Sequence, residues 1–268
     1  MKINNIILYT LVIIFCCAFS IKKDKKVNVY LVGDSTVCSY GTERAPLTGW
    51  GMPFANYFNS SVTIKNQAKG GRSTRTFISE GLWKSVYDSL QVGDFVLIQF
   101  GHNDEAKQPE YADRYTPVND YKNNLLKLIA ETRSRQAIPI LITPVSRMNF
   151  DKNGTALETH TEYSAAMKDV AEKSNTVVID LDKQSRELYQ NTGPLMTKYI
   201  FMTLDSGEHP NYPNGSHDNT HFSEYGARLI AEIILKQLTD KHVAIASEIV
   251  DAKKNKSNSV AGDVINHK

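Results

Sequence analysis

Ser35 stands in "VGDSTVC", residues 32–38, between an aspartate and a threonine at the end of an apolar run. A serine hydroxyl acts as a nucleophile when a base takes its proton, a third group orients that base, and donors stabilise the oxyanion its attack creates. The chain offers a candidate for each part. Of its seven histidines, His267 and His242 lie towards the C-terminal end, whereas His221 sits in "SHDNTHFSEYGA" with Asp218 three residues before it. That spacing can put a carboxylate and an imidazole on one side of a turn. Asp218 would then accept from one ring nitrogen while the other faces Ser35. The chain order Ser, Asp, His is one of several in which unrelated folds arrange these groups. Asn103 in "GHND" offers a side-chain N–H, and Gly71 in "KGGRS" a backbone N–H that a substrate can approach unobstructed. With the Ser35 N–H they make a three-donor oxyanion hole. Taken singly, each segment also reads as an ordinary turn, and His221 as a residue near a helix start.

Such groups need elements to hold them. "VNVYLV" (27–32), "FVLIQF" (95–100), "IPILIT" (138–143) and "TVVIDL" (176–181) are apolar runs of strand length, and "VTIKNQ" (62–67) is a weaker one. Near-continuous apolar strands imply a parallel sheet covered on both faces. Between them, Tyr121, Leu125, Leu128 and Ile129 fall on one helical stripe, and Tyr163, Met167 and Val170 on another. "SEYGARLIAEIILKQLTD" (223–240) reads as a last amphipathic helix with Ser223 as its N-cap. This alternation predicts a three-layer α/β domain over 27–250. Ligands of open parallel sheets gather beyond the carboxyl ends of the strands, where Ser35, Gly70–Gly71 and His102–Asn103 all fall.

The 268 residues are 41% hydrophobic and 22% charged, values of a globular protein that can bury a core, and the net charge is +2. So small a charge, without a Lys/Arg block interleaved with aromatics, argues against nucleic acid as a partner. Residues 1–20 combine Lys2, an apolar stretch from Ile6 to Phe19, and small residues at Ala18 and Ser20, the pattern of an export signal. The apolar run is short for a membrane span. An exported protein, periplasmic or extracellular and free of the membrane after cleavage, is therefore expected. Cys16 and Cys17 raise lipid anchoring, but Phe15 stands where a small residue is required. Residues 21–26 read as a solvated linker and 251–268 as a polar tail. Cys38 remains as a lone thiol, either a nucleophile or a small buried group under the serine turn.

Ser35 in GDS, Gly71 in KGGRS, Asn103 in GHND and His221 in D-x-x-H resemble the four blocks of the SGNH (GDSL-type) hydrolase superfamily. Thr36 replaces the leucine that usually follows GDS. That departure, with "NQAKGGRSTRTF" and "YPNGSHDNTHFSEYGA", is similar to the rhamnogalacturonan acetylesterase family. The resemblance implies a flavodoxin-like α/β/α sandwich and a carboxylic ester hydrolase that removes acetyl groups from acetylated plant cell-wall polysaccharide, without metal or cofactor. It also implies an acetyl-enzyme on Ser35, with His221 as base, Asp218 orienting it, and the Ser35 N–H, Gly71 N–H and Asn103 as the oxyanion hole.

A uronate substrate would favour a cationic rim. Lys69, Arg72 and Arg75 cluster beside Gly71, and Arg147 follows the strand at 138–143. Each is either a carboxylate binder or an ordinary solvated or paired charge. Tyr111 and Tyr115 lie in a segment, Glu105 to Val118, that can form a loop over the site. Three alternatives remain at this level. One is an acetylesterase for xylan or homogalacturonan, or a general short-chain esterase. The second is a metallohydrolase using His209, His217 and His221. The third is a carbohydrate-binding protein without turnover.

Overall fold

Each of the five apolar runs forms a strand. A computed structural model describes residues 26–250; the readings of residues 1–20 as a signal, nearly all of the 21–26 linker, and the 251–268 tail lie outside the described residues. β1 (Val27–Gly33), β2 (Val62–Asn66), β3 (Phe95–Gln99), β4 (Ile138–Ile142) and β5 (Val177–Ile179) make one sheet in the order β2-β1-β3-β4-β5. Every pairing is parallel. β1 thus lies between β2 and β3, so the segments that leave these three strands emerge side by side at one sheet edge.

The strand period of two divides the side chains between two cores. Val29 and Leu31 of β1 join Phe95, Leu97, Ile140, Ile142 and Ile179 on one face. Tyr30 and Val32 join Val96, Ile98 and Leu141 on the other. The first face is covered by α1 (Gly51–Phe54), through Trp50 and Phe54, and in part by the later helices. The second is covered by α2 (Thr74–Ser79), α3 (Leu82–Ser89), α4 (Val118–Ser134) and α5 (Thr161–Lys173). α6 (Leu181–Thr192), α7 (Pro194–Thr197) and α8 (Glu224–Asp240) complete the helices, α6 and α8 packing on the first face. The expected three layers are present.

The helical stripes also hold: Tyr121, Leu125, Leu128, Ile129, Tyr163, Met167 and Val170 are all buried. Ser223 caps α8 by accepting from the Gly226 N–H at 3.1 Å. Two readings need correction. The run at 176–181 is a strand only at Val177–Ile179, because Asp180 caps α6 and accepts from Lys183 N at 3.3 Å. Leu181, Leu188 and Tyr189 are the only apolar residues of α6, which is amphipathic but polar overall, so low apolar content hid the helix in the sequence. The segment before α8 is not a plain turn. It is the second strand of an antiparallel hairpin, β6 (Phe201–Leu204) with β7 (Ser216–Phe222).

The hairpin is irregular where it matters. Phe201 pairs with Phe222 and Thr203 with His217, so Asp218 to His221 stand opposite Met202 alone. Such a bulge bends the strand and re-aims its side chains. Phe222 itself is buried against Phe201 in the first core, ring centroids 5.5 Å apart. α8 then docks against the hairpin's entry, where a side chain on Gly226 would collide with the Ile200 carbonyl.

Candidate active site

Ser35 lies one turn beyond β1. Asp34 O accepts from the N–H groups of Val37 and Cys38 at 3.2 and 3.1 Å, closing the turn. A Cβ on Gly33 would stand 2.6 Å from the Gln99 carbonyl, so only glycine lets β1 run this close to β3 at its end. Asp34 is buried, and burial raises its pKa; its Oδ1 accepts from Thr36 N at 2.9 Å and Thr36 Oγ1 at 2.8 Å. Thr36 Oγ1 in turn accepts from Gln99 Nε2 at 2.6 Å, and Gln99 Oε1 from Trp50 Nε1 at 2.8 Å. Thr36, which departs from the superfamily's leucine, therefore links the serine turn to β3 and α1 by a buried hydroxyl that leucine lacks. Cys38 is buried under the same turn, its Sγ 3.8 Å from Ser35 O, and burial pushes its thiol up. That is the packing role rather than a nucleophile's environment.

The bulge of β7 brings Asp218 and His221 to this turn. His221 Nε2 lies 2.9 Å from Ser35 Oγ, and His221 Nδ1 lies 2.7 Å from Asp218 Oδ2. Asp218 Oδ1 accepts from Thr220 N at 2.7 Å and His221 N at 2.9 Å. Burial opposes ionisation of Asp218, but the His221 ring and these two N–H groups outweigh it and hold the carboxyl below its usual range. An ionised Asp218 fixes the tautomer: Nδ1 carries the proton and Nε2 accepts from the serine hydroxyl. The three groups stand within hydrogen-bond reach of one another in the order that a nucleophile, a base and an orienting carboxylate require.

The oxyanion donors converge beside it. Gly70 and Gly71 follow β2, and the Cβ position of Gly70 is 3.6 Å from Ser35 Cβ. Gly71 has φ +78°, a left-handed value that suits glycine. Among the described residues, neither the Ser35 N–H nor the Gly71 N–H has an acceptor in the protein. Backbone donors are seldom left so unless they face solvent or a ligand. Asn103 follows β3, and its Nδ2 donates to Arg72 O at 3.0 Å, which sets the amide's orientation and leaves its second hydrogen free. All three line a polar cleft of about 1010 Å³ with Asp218 and His221.

The three arginines expected to bind substrate are placed differently from one another. Arg72 turns away from the cleft: its Nε pairs with Glu80 at 2.9 Å and its Nη1 donates to Gly70 O at 2.9 Å. Arg75 is exposed on α2 and does not line the cleft. Arg147 does line it, but donates to Thr220 Oγ1 and lies 3.6 Å from Glu105. It therefore braces the residue next to His221. Sequence reasoning missed Tyr40, whose hydroxyl donates to Ser35 O at 2.7 Å, and Arg44 and Arg114, which also line the cleft. The only advance signal for the two arginines was a tyrosine three or four residues ahead of each.

Two buried groups support the floor. His102 stacks edge-on with His160, centroids 4.2 Å apart, and burial holds its pKa well below the ordinary value, so the ring is neutral. His160 Nδ1 is 2.9 Å from Glu105 Oε1, a contact outside hydrogen-bond geometry. His209 and His217 do not join the site: His209 faces Tyr212 and His217 sits in the hairpin ladder. Both ring nitrogens of His221 are engaged by Asp218 and Ser35. Among the described residues no three His, Cys, Asp or Glu side chains form a ligand set.

Asp104, next to Asn103, gives a pH signature. Burial raises its pKa to about 7, against the opposing hydrogen bonds from Thr74 and Thr116. The folded state then holds a proton that the unfolded state releases near pH 4. Its contribution to stability is full below that pH and is lost as pH rises through about 7. Three pKa units correspond to roughly 4 kcal/mol. Asp104→Asn keeps an oxygen for the Thr74 bonds and removes the titration. Urea midpoints between pH 4.5 and 7.5 should fall less in the variant than in the wild type; equal falls would assign the proton elsewhere.

A serine, histidine and carboxylate relay at the carboxyl edge of a parallel sheet in three layers fits a serine-type hydrolase of the α/β class. The chain belongs to the GDSL-like lipase/acylhydrolase family, whose model matches residues 29–234, and it is a carboxylic ester hydrolase. It is 38% identical over 227 residues to rhamnogalacturonan acetylesterase RhgT of Bacillus subtilis, covering 84% of this chain and 95% of that protein. It is 34% identical over 225 residues to the probable rhamnogalacturonan acetylesterase YesY of the same organism, covering 83% and 97%. The crystal structure of Bacillus subtilis YxiM superposes with a TM-score of 0.70 at 25% identity, over 82% of this chain and 58% of that one.

Proposed function

We propose that this chain removes acetyl groups from rhamnogalacturonan-type pectic polysaccharide through an acetyl-enzyme on Ser35. The observation that carries this reading is the relay from Ser35 Oγ through His221 to Asp218, with contacts of 2.9 and 2.7 Å, at the floor of an open polar cleft. The names of two relatives, at 38% and 34% identity, support the substrate.

Ser35 Oγ attacks the acetyl carbonyl carbon as His221 Nε2 takes its proton. The carbonyl oxygen becomes an oxyanion between the Ser35 N–H, the Gly71 N–H and Asn103 Nδ2. As the tetrahedral adduct collapses, His221 returns the proton to the departing sugar oxygen. Water then attacks the acetyl-enzyme, giving a proton to His221, and as the second adduct collapses His221 passes that proton to the departing Ser35 Oγ, releasing acetic acid, which ionises to acetate. Asp218 stays ionised throughout and stabilises the imidazolium.

The cleft walls carry arginine, lysine, glutamate, histidine and tyrosine side chains rather than an apolar channel. A short acyl group is expected in such a site. Nitrophenyl acetate should be hydrolysed faster than nitrophenyl octanoate; the reverse order would point to a lipase-type esterase. Acetate release from acetylated rhamnogalacturonan, homogalacturonan and xylan, with Ser35→Ala as control, tests the glycan. Preferential release from xylan would favour the alternative acetylxylan reading.

The same reading places the enzyme outside the cytoplasm, with residues 1–20 as its export signal. An N-terminus at or after residue 21 in the mature protein is the expected result, and an intact Met1 would count against it.

A further inference from the structure

Five of the nine guanidinium groups meet carboxylates: Arg72 meets Glu80, Arg135 meets Asp88, Arg147 meets Glu105, Arg186 meets Glu158 and Arg228 meets Glu224. Arg114 meets none among the described residues. Its Nε is buried without a hydrogen-bond partner, and its guanidinium lies 3.7 Å from the centre of the Tyr111 ring. Its Nη1 is 3.5 Å from the place a Cβ on Gly71 would take, so the charge stands over the glycine of the oxyanion hole. Arg44 repeats the arrangement more loosely, 5.7 Å from the Tyr40 ring and likewise without a carboxylate. Both line the cleft.

Arg114 is held firmly. Its N–H donates to Tyr111 O at 3.0 Å, and its carbonyl accepts from Thr116 Oγ1 at 3.1 Å. Thr116 is tied down in turn: its N–H donates to Asp104 O at 2.9 Å and its carbonyl accepts from Tyr163 Oη at 2.7 Å. A guanidinium stacked on an aromatic face keeps its in-plane donors free, and that planar fork matches a carboxylate. A partly buried cation without a counter-charge is costly unless a ligand supplies one. The acetyl carbonyl must sit at Gly71, so a carboxylate reaching Arg114 would come from the sugar that carries the ester or its neighbour.

We propose that Arg114 is a specificity-determining residue that binds a substrate carboxylate beside the scissile acetyl ester. The enzyme then selects acetyl groups on or next to a uronate over those on neutral glycans. This deepens the pectic reading above and rests on it.

The test uses acetylated galacturonate-containing oligosaccharides and the same material with its carboxyls reduced to alcohols. The wild type should favour the charged form by about tenfold in kcat/KM, the worth of one charge-assisted contact of ~1.4 kcal/mol. Arg114→Gln should collapse that ratio to near one, chiefly through KM on the charged form. Arg114→Lys should keep part of it, since the charge remains and the fork is lost. An equal loss on both forms with the ratio intact would make Arg114 structural and overturn the proposal. A wild-type ratio near one would overturn it too, leaving the pectic reading standing. Hydrolysis of nitrophenyl acetate with no acetate from either oligosaccharide would overturn both.

Discussion

Ser35→Ala should remove nearly all turnover, with a loss of up to about 10⁶-fold in kcat by analogy with serine proteases. Among the described residues the hydroxyl has one partner, His221 Nε2 at 2.9 Å. The turn around it is closed by other groups: Asp34 O, the Thr36 hydroxyl and the Tyr40 hydroxyl. Losing the oxygen therefore deletes the nucleophile while the unfolding midpoint stays close to that of the wild type. His221→Ala should cost a similar factor, and the double variant little more, because the two act as one unit. What survives is the contribution of the oxyanion donors and of substrate binding. Initial rates on nitrophenyl acetate, alongside thermal unfolding, measure this. A folded Ser35→Ala protein with wild-type turnover would remove the mechanism.

Asp218→Asn should lower kcat by about 10⁴-fold at neutral pH, for a reason of tautomers rather than charge alone. Asp218 Oδ1 takes two backbone N–H groups, at 2.7 and 2.9 Å, so an asparagine must keep its oxygen there. Its NH₂ then faces His221 Nδ1, now 2.7 Å from Asp218 Oδ2. A donor in that place selects the ring with Nδ1 bare and Nε2 protonated. That ring points a proton at the serine and accepts none. Asp218→Ala leaves Nδ1 open to water and free to keep its proton, so it should lose less than Asp218→Asn. A kcat profile from pH 5 to 9 for both variants separates the cases. Near wild-type kcat in Asp218→Asn would show that the carboxylate does not set the tautomer.

The layers followed from period alone. Strands apolar on both faces, such as Phe95–Gln99, have to be buried on both sides, and the stripes at Tyr121–Ile129 and Tyr163–Val170 supply the cover. Ser35, Gly71 and Asn103 followed from small or polar residues at three strand ends. The helix Leu181–Thr192 escaped notice because its apolar stripe is only three residues in a polar segment, and the hairpin because β6 is four residues long and β7 is mostly polar. The placement of the arginines beside Gly71 was also not legible from the chain. Proximity to Gly71 along the chain suggested Arg72 and Arg75, yet Arg72 turns to Glu80 and Arg75 to solvent. Arg114, 43 positions from Gly71 in the sequence, arrives beside it through the loop that Thr116 and Tyr163 pin down.

The sequence by itself determined the chemistry: which residue types are present, their order, and a parallel sheet whose edge gathers the ends of β1, β2 and β3. Those are consequences of local pattern and of strand adjacency. Only the tertiary structure decided how the far end of the chain reaches that edge. Asp218 and His221 come from an antiparallel hairpin, bulged by residues that face Met202 alone, and held by Phe222 in the core. No spacing rule encodes that bulge, since it is set by the packing of Phe201, Phe222 and α8 rather than by the residues that bulge. The free charge of Arg114 was settled the same way, by which carboxylates the fold left out of its reach.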